Sequence, residues 1–254
     1  MRWIASLGWL GYVLVVAVFS VPFYALGLIH APLPLVPALP LSAIMVVVPT
    51  AAAWLIASAM GERGLLLARL RGWPGIGWAL LAFGFMPVVF WLTAAVSGLT
   101  GADLPAVQWL SPASALLSLL IFGVGAVAEE FGWQGYAYPR MAGLGAPLRR
   151  ALVLGGIWAL WHLLPFWEMG HDVGWILWHG LAMVAMRVVI VWLSESAGPG
   201  LMVAVLFHTA SNAPWGVIGN FAAFYDPRIA ALLLWAAVGA IVTLCGPGLR
   251  VSRR

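Results

Sequence analysis

The feature that most limits what this chain can become is the length it runs without charge. No Asp, Glu, Lys or Arg stands between Arg2 and Glu62, between Arg71 and Asp103, or between Arg228 and Arg250. Over its 254 residues, hydrophobic side chains make up 64% and charged ones 8%, against about 45–50% and about 25% in soluble domains. Twelve arginines and eight acids, with no lysine, leave too little polar surface to cover a water-soluble fold of this size. The chain reads as an integral, multi-pass membrane protein.

In lipid every backbone polar group must be satisfied internally, so runs of about 20 apolar residues are read as helical spans. Eight are visible, at roughly 3–28, 41–60, 76–100, 113–138, 150–166, 175–193, 199–218 and 229–246. The expected fold is all-α, a bundle of about eight transmembrane helices forming a single membrane domain over residues 1–254. The first run follows Arg2 as a secretory signal would. It continues uncharged to His30, longer than the roughly 7–15 residues of a signal core, and is expected to be retained. Pro and Gly gather in the connections, as at Pro32, Pro34, Pro37 and Pro40, at Pro74 and Gly75, and at Pro199 and Gly200. No internal repeat, low-complexity tract or soluble domain is visible.

The arginines orient this bundle. Arg2, Arg63, Arg69, Arg71, Arg140, Arg149, Arg150, Arg250, Arg253 and Arg254 all fall before the first span or after an even-numbered one. The odd-numbered connections hold Arg228 with Asp103, Glu168, Asp172 and Asp226. The positive-inside rule then predicts both termini in the cytoplasm. In a soluble chain the net charge of +4 would point to nucleic acid; here it is an orientation signal, and no nucleic-acid partner is expected. The single cysteine, Cys245, excludes an internal disulfide or a cysteine-rich metal site. Arginine in place of lysine fits a GC-rich bacterial genome, hence a bacterial inner membrane.

An ionisable group at the centre of a membrane helix costs about 2.5–3.5 kcal/mol, so each needs a reason. The intramembrane set is Glu129 and Glu130, His162, His179, Arg187, and His208 with Asn212. At about 1.5 Å per residue, Glu129 lies about 16 Å, His162 about 18 Å, His208 about 14 Å and Asn212 about 20 Å from the cytoplasmic end of its span. Groups from three helices therefore share one depth. His208 and Asn212, four apart, lie on one helix face. Glu129 and Glu130 diverge by about 100° and are not expected to face one site. One carboxylate, Glu129, is expected to face the histidines as a general base. The other is held by a neighbour, for which Gln134, four residues on, is a ready donor. His179 lies close to the end of its span and reads as interfacial; His171 reads as a loop residue. Trp133, Trp158 and Trp161 are candidates to wall the site, and Pro139, Pro165 and Pro214 to end or kink their helices and open a cavity.

Three motifs carry a resemblance. Ala128-Glu129-Glu130-Phe131-Gly132-Trp133-Gln134-Gly135-Tyr136 resembles the glutamate-pair motif of the CAAX prenyl protease and bacteriocin-processing (CPBP, or Abi) family of intramembrane proteases. Trp158-Ala159-Leu160-Trp161-His162 resembles its second motif, an aromatic followed by a histidine. Phe207-His208-Thr209-Ala210-Ser211-Asn212 resembles its third. Each motif alone is weak; all three in order, in successive spans, are specific, and they mark residues 75–220 as a CPBP-like catalytic core. The resemblance implies an intramembrane endopeptidase, acting on a CAAX-like or leader-bearing membrane-associated protein or peptide. In such an enzyme Glu129 and His162 would activate water, with Glu130 beside them, and His208 and Asn212 would stabilise the oxyanion. The expected cavity opens to the cytoplasm or the inner leaflet.

The residues leave several points open. No cofactor is certain; zinc held by Glu129, His162 and His208 is one mechanism, and general-base catalysis without metal is the other. Where the family motif has an arginine five residues after its first glutamate, this chain has Gln134. Glu130 is then either protonated and paired with Gln134, or served by Arg187 from the sixth span. A proton-coupled transporter, a haem or quinone protein using His162 and His208, and a non-proteolytic scaffold or immunity factor of the same fold are the rival functions. The oligomeric state is not legible.

Overall fold

The computed structural model describes residues 3, 6–29, 31–33, 36–198 and 200–251. Arg2, His30, Pro34, Pro199, Arg253 and Arg254 lie outside these residues. Among the described residues the chain forms eight long helices: α1 (Trp9–Gly27), α2 (Leu41–Met60), α3 (Ile76–Leu99), α4 (Pro112–Arg140), α5 (Pro147–Glu168), α6 (Val173–Ala197), α7 (Met202–Val217) and α8 (Pro227–Gly248). All but α7 are long and apolar enough to cross a membrane. The protein is an all-α, polytopic membrane protein. Among the described residues β pairing is confined to a short hairpin, Pro32–Leu33 against Val36–Pro40, in the α1–α2 connection, and a single bridge between Trp109 and Ile218.

The eight expected runs reappear with boundaries shifted by a few residues, except that the seventh is shorter than a span. Helix α7 has 16 residues, about 24 Å of rise against a hydrocarbon core of about 30 Å. It begins at Met202 and ends at Val217, where the chain turns extended at Ile218 and pairs with the α3–α4 connection. There Leu110 N–H donates to the Val217 carbonyl at 3.0 Å and Gly219 N–H to that of Gln108 at 2.7 Å. The shortness is tolerated because α7 packs among α3, α4 and α6. Its polar His208 is thereby kept from lipid.

The hydrogen bonds that seat the helices come from hydroxyls and indoles aimed at carbonyls of neighbouring helices, which satisfies both groups where water is absent. Tyr24 donates to the Trp161 carbonyl at 2.7 Å, the Trp161 indole to Ser20 at 2.7 Å, and Thr50 to the Ala128 carbonyl. Helices α1 and α2 are thereby fixed against α4 and α5. Helix α4 passes through one π-helical stretch, Trp133–Ala137, immediately after the glutamate pair. Such bulges recur at functional sites because they re-aim the residues beside them. Helices α5 and α7 run through Pro165 and Pro214 and end three residues beyond each. Helix α4 ends one residue beyond Pro139, so all three prolines lie close to the ends of their helices, as expected.

Small residues set the closest approaches. A Cβ on Gly132 would meet the Pro49 carbonyl oxygen and the Tyr12 hydroxyl, each at 2.4 Å. Only a residue without a side chain lets α4 lie so close to α1 and α2. Gly132→Ala is therefore expected to lower the stability of the detergent-solubilised protein by about 1–3 kcal/mol, read as a drop in unfolding midpoint. Gly64→Ala, in open space on the short helix Arg63–Ala68, should leave the midpoint unchanged or raise it slightly.

Candidate active site

The geometry is built around two carboxylates at the end of the regular part of α4. Glu130 is fully buried and carries a negative charge that hydrocarbon cannot solvate. Its neutraliser is Arg187 of α6, also fully buried, whose guanidinium binds it in a fork: Nη1 to Oε2 at 2.6 Å and Nη2 to Oε1 at 3.0 Å. The geometry is bidentate, the strongest arrangement for such a pair. His208 Nδ1 lies 2.9 Å from Glu130 Oε1 as a third donor. Of the two alternatives for the missing motif arginine, the structure selects Arg187. Gln134 does not pair with Glu130; its side-chain oxygen is buried without a partner. The π-helical turn that begins at Trp133 intervenes between the two residues and breaks the i,i+4 spacing on which that expectation rested.

Glu129 is held differently. The Trp158 indole N–H donates to its Oε2 at 2.8 Å, while Oε1 lies 4.0 Å from His208 Nε2. The two glutamates diverge as expected: Glu129 lines the cavity and Glu130 does not, although His208 reaches toward both. An imidazole carries nitrogens on opposite edges, so His208 lies between both carboxylates. Trp158 is the hub: its ring also meets His208 edge-on at 5.3 Å and lies under the Arg187 guanidinium at 4.5 Å. His162 Nδ1 lies 2.9 Å from the Trp158 carbonyl; an oxygen acceptor requires that nitrogen to donate, which leaves Nε2 unprotonated on the neutral ring. Ser211 caps no catalytic group and donates to the His208 carbonyl at 2.7 Å.

Glu129, His162, His208 and Asn212 all line one cavity of about 380 Å³. Glu130 does not; it sits behind His208 and holds it. The cavity runs from these groups to the arginine-poor end of the bundle, where Pro40, Met169, His171 and Tyr225 line it. The sequence reading placed its opening at the other end. There the π segment and the turn after it bury Trp133, Tyr136, Tyr138 and Met141, which fill that space.

The cavity wall corrects two further readings. His179 is not merely interfacial, nor His171 merely a loop residue: both line the cavity. His171 stacks on Trp175 at 3.6 Å, Trp175 on His179 at 4.6 Å, and His179 shares a 2.7 Å hydrogen bond with the Tyr225 hydroxyl. Phe166 bridges His179 to His162 at 4.8 and 5.6 Å. The signal was present in the sequence as an i,i+4 stripe of His171, Trp175, His179 and Met183. Burial against these rings pushes the pKa of His171, in the α5–α6 connection, down, so it meets the cavity as a neutral ring at pH 7.

Among the described residues no three His, Cys, Asp or Glu side chains converge as a metal set as they stand; the Nδ1 contact of His208 with Glu130 leaves Nε2 as the nitrogen open to the cavity side.

A buried Glu–Arg–His cluster thus lies beside an apolar cavity in a polytopic helical bundle. The family model described as type II CAAX prenyl endopeptidase Rce1-like matches residues 109–214, which carry all three motifs. A protein named CAAX prenyl protease 2, from Methanococcus maripaludis, is 26% identical over 102 residues, covering 37% of this chain and 38% of that protein. The match thus spans well under half of that relative. The resemblance of the three motifs to the CAAX protease family is borne out: residues 109–214 match the Rce1-like family model.

Removing one partner of a buried ion pair leaves the other charge stranded, at about 3–5 kcal/mol. Arg187→Leu should therefore unfold the solubilised protein or lower its midpoint sharply. Arg187→Leu combined with Glu130→Leu should recover much of that loss. An Arg187→Leu protein of unaltered midpoint would contradict the pairing.

Proposed function

We propose that this chain is an intramembrane endopeptidase that hydrolyses a peptide bond with a glutamate-activated water and no metal. The observation that carries the reading is the sorting of the two adjacent glutamates. One is neutralised by Arg187 and removed from the cavity; the other lines it under a single indole N–H. A carboxylate with one oxygen free of hydrogen bonds, in a site of low dielectric, suits a general base.

Glu129 takes a proton from water as the water oxygen attacks the scissile carbonyl carbon. His162 accepts the second water hydrogen at Nε2 and so orients the nucleophile. The carbonyl π electrons move to oxygen, and the oxyanion is met by Nε2–H of His208 and the amide N–H of Asn212. His208 can donate there because it carries both protons, Nδ1–H being directed at Glu130. Two carboxylates, one guanidinium and one imidazolium then sum to zero charge, which a buried cluster requires. Collapse of the intermediate passes the proton from Glu129 to the amide nitrogen and the C–N bond breaks; the remaining hydroxyl proton of the new acid passes to the amine, so a carboxylate and an ammonium leave.

The substrate in this reading is the membrane-associated end of a protein or peptide, CAAX-like or leader-bearing. The apolar cavity suits a greasy segment, and the ring stripe from His171 to His162 offers it a flat wall. With the arginine-rich end cytoplasmic, the loop-lined end of the cavity faces the opposite side of the membrane. Thiol labelling in a Cys245→Ala background checks this: Ala102→Cys should react with an impermeant reagent on intact cells and Gly143→Cys only after lysis. The reverse pattern would invert the bundle.

The reaction is tested with a fluorogenic, prenylated CAAX-type peptide and a leader-bearing peptide, using detergent-purified protein. Trp158→Phe should lower kcat/KM by about 10–100-fold, the worth of one charge-assisted hydrogen bond. His208→Ala should abolish turnover, and a chelator should have no effect. Cleavage that a chelator stops and zinc restores would overturn the metal-free mechanism.

A further inference from the structure

A second recess, of about 410 Å³, lies at the arginine-rich end, on the far side of the π segment from the central cavity. Its lining includes Arg69, Arg150 and Arg250 with Gln134, Tyr138 and Glu195. Three guanidiniums against one carboxylate leave it a net charge of +2. That carboxylate is already engaged: Glu195 Oε1 accepts from the Tyr138 hydroxyl at 2.7 Å and lies 4.0 Å from Arg150.

The arginines are undersupplied with acceptors. Arg150 lies over the Tyr138 ring at 4.6 Å, and its Nε is buried with no partner. Among the described residues Arg69 and Arg250 make no side-chain hydrogen bond or ion pair. Gln134 is nine-tenths buried, and its side-chain oxygen also has no partner. Buried polar atoms are almost always satisfied. One recess thus holds an unmet donor, an unmet acceptor and a surplus of guanidinium. A guanidinium fork matches phosphate geometry, and basic pockets between transmembrane helices on the cytoplasmic side accept acidic headgroups. A ligand matched to this lining carries an anionic phosphate for the guanidiniums and a hydroxyl for the Gln134 amide.

We propose that this recess binds a phosphate ester bearing a free hydroxyl, of the kind presented by the phosphatidylglycerol headgroup. The soluble source of the same chemistry is glycerol phosphate. Purified protein is stripped of lipid and titrated with phosphatidylglycerol, phosphatidylcholine or glycerol phosphate, with unfolding midpoint and native mass spectrometry as readouts. Phosphatidylglycerol should raise the midpoint by several degrees and phosphatidylcholine should not. The double variant Arg69→Ala with Arg250→Ala spares the packing of Arg150 on Tyr138. It should keep the lipid-free midpoint and bind phosphatidylglycerol at least about tenfold more weakly. An equal shift with glycerol phosphate would uphold the site and assign it to the soluble ester. A phosphatidylglycerol shift that persists in the double variant, one matched by phosphatidylcholine, or no shift with either phosphate ester would overturn the proposal.

Discussion

The fork between Arg187 and Glu130 is the contact on which the rest of the centre depends. Both groups are fully buried, where a charge is tolerated only when it is paired. Stranding one of these charges costs about 3–5 kcal/mol, a large fraction of the net stability of a typical domain. The pair therefore fixes α4 against α6 in one register, because any slip strands both ions. It also positions His208, which reaches Glu130 from α7 at 2.9 Å. Three helices are locked by one carboxylate, and Glu129, one residue earlier, is left to the cavity.

Trp158 extends this arrangement to α5. Its indole N–H holds Glu129, its face carries the Arg187 guanidinium, and its carbonyl fixes His162 one turn on. A single aromatic side chain thereby couples the ion pair to the cavity wall. The π segment after the glutamates completes the design from the other side. It turns Gln134 away from Glu130 and closes the arginine-rich end with aromatic rings, so the cavity lies toward the opposite loops.

Much of this was legible in the sequence, because membrane folding leaves coarse marks. Apolar runs located seven spans to within about six residues, and α7 is shorter than its apolar run by three residues at the start and one at the end, Ile218, which pairs with the α3–α4 connection. Depth counting brought Glu129, His162, His208 and Asn212 together, since helical rise depends only on residue number. Direction around the helix was less legible. The pairing of Glu130 with Arg187 joins residues 57 apart, and no local pattern distinguishes it from a pairing with Gln134. The π bulge has no local signature either, and it is what invalidated the i,i+4 argument. The stripe from His171 to Met183 was readable but was judged by nearness to a helix end, whereas the cavity extends that far.

The account rests on two neighbouring carboxylates having unlike tasks, and a paired measurement of rate and unfolding midpoint in Glu129→Gln and Glu130→Gln tests that most directly. Glu129→Gln should lose peptide hydrolysis while keeping the wild-type midpoint, because the amide retains the Trp158 hydrogen bond. Glu130→Gln should lower the midpoint as well as the rate, because Arg187 is left uncompensated. Full activity in Glu129→Gln, or an unaltered midpoint in Glu130→Gln, would contradict the account.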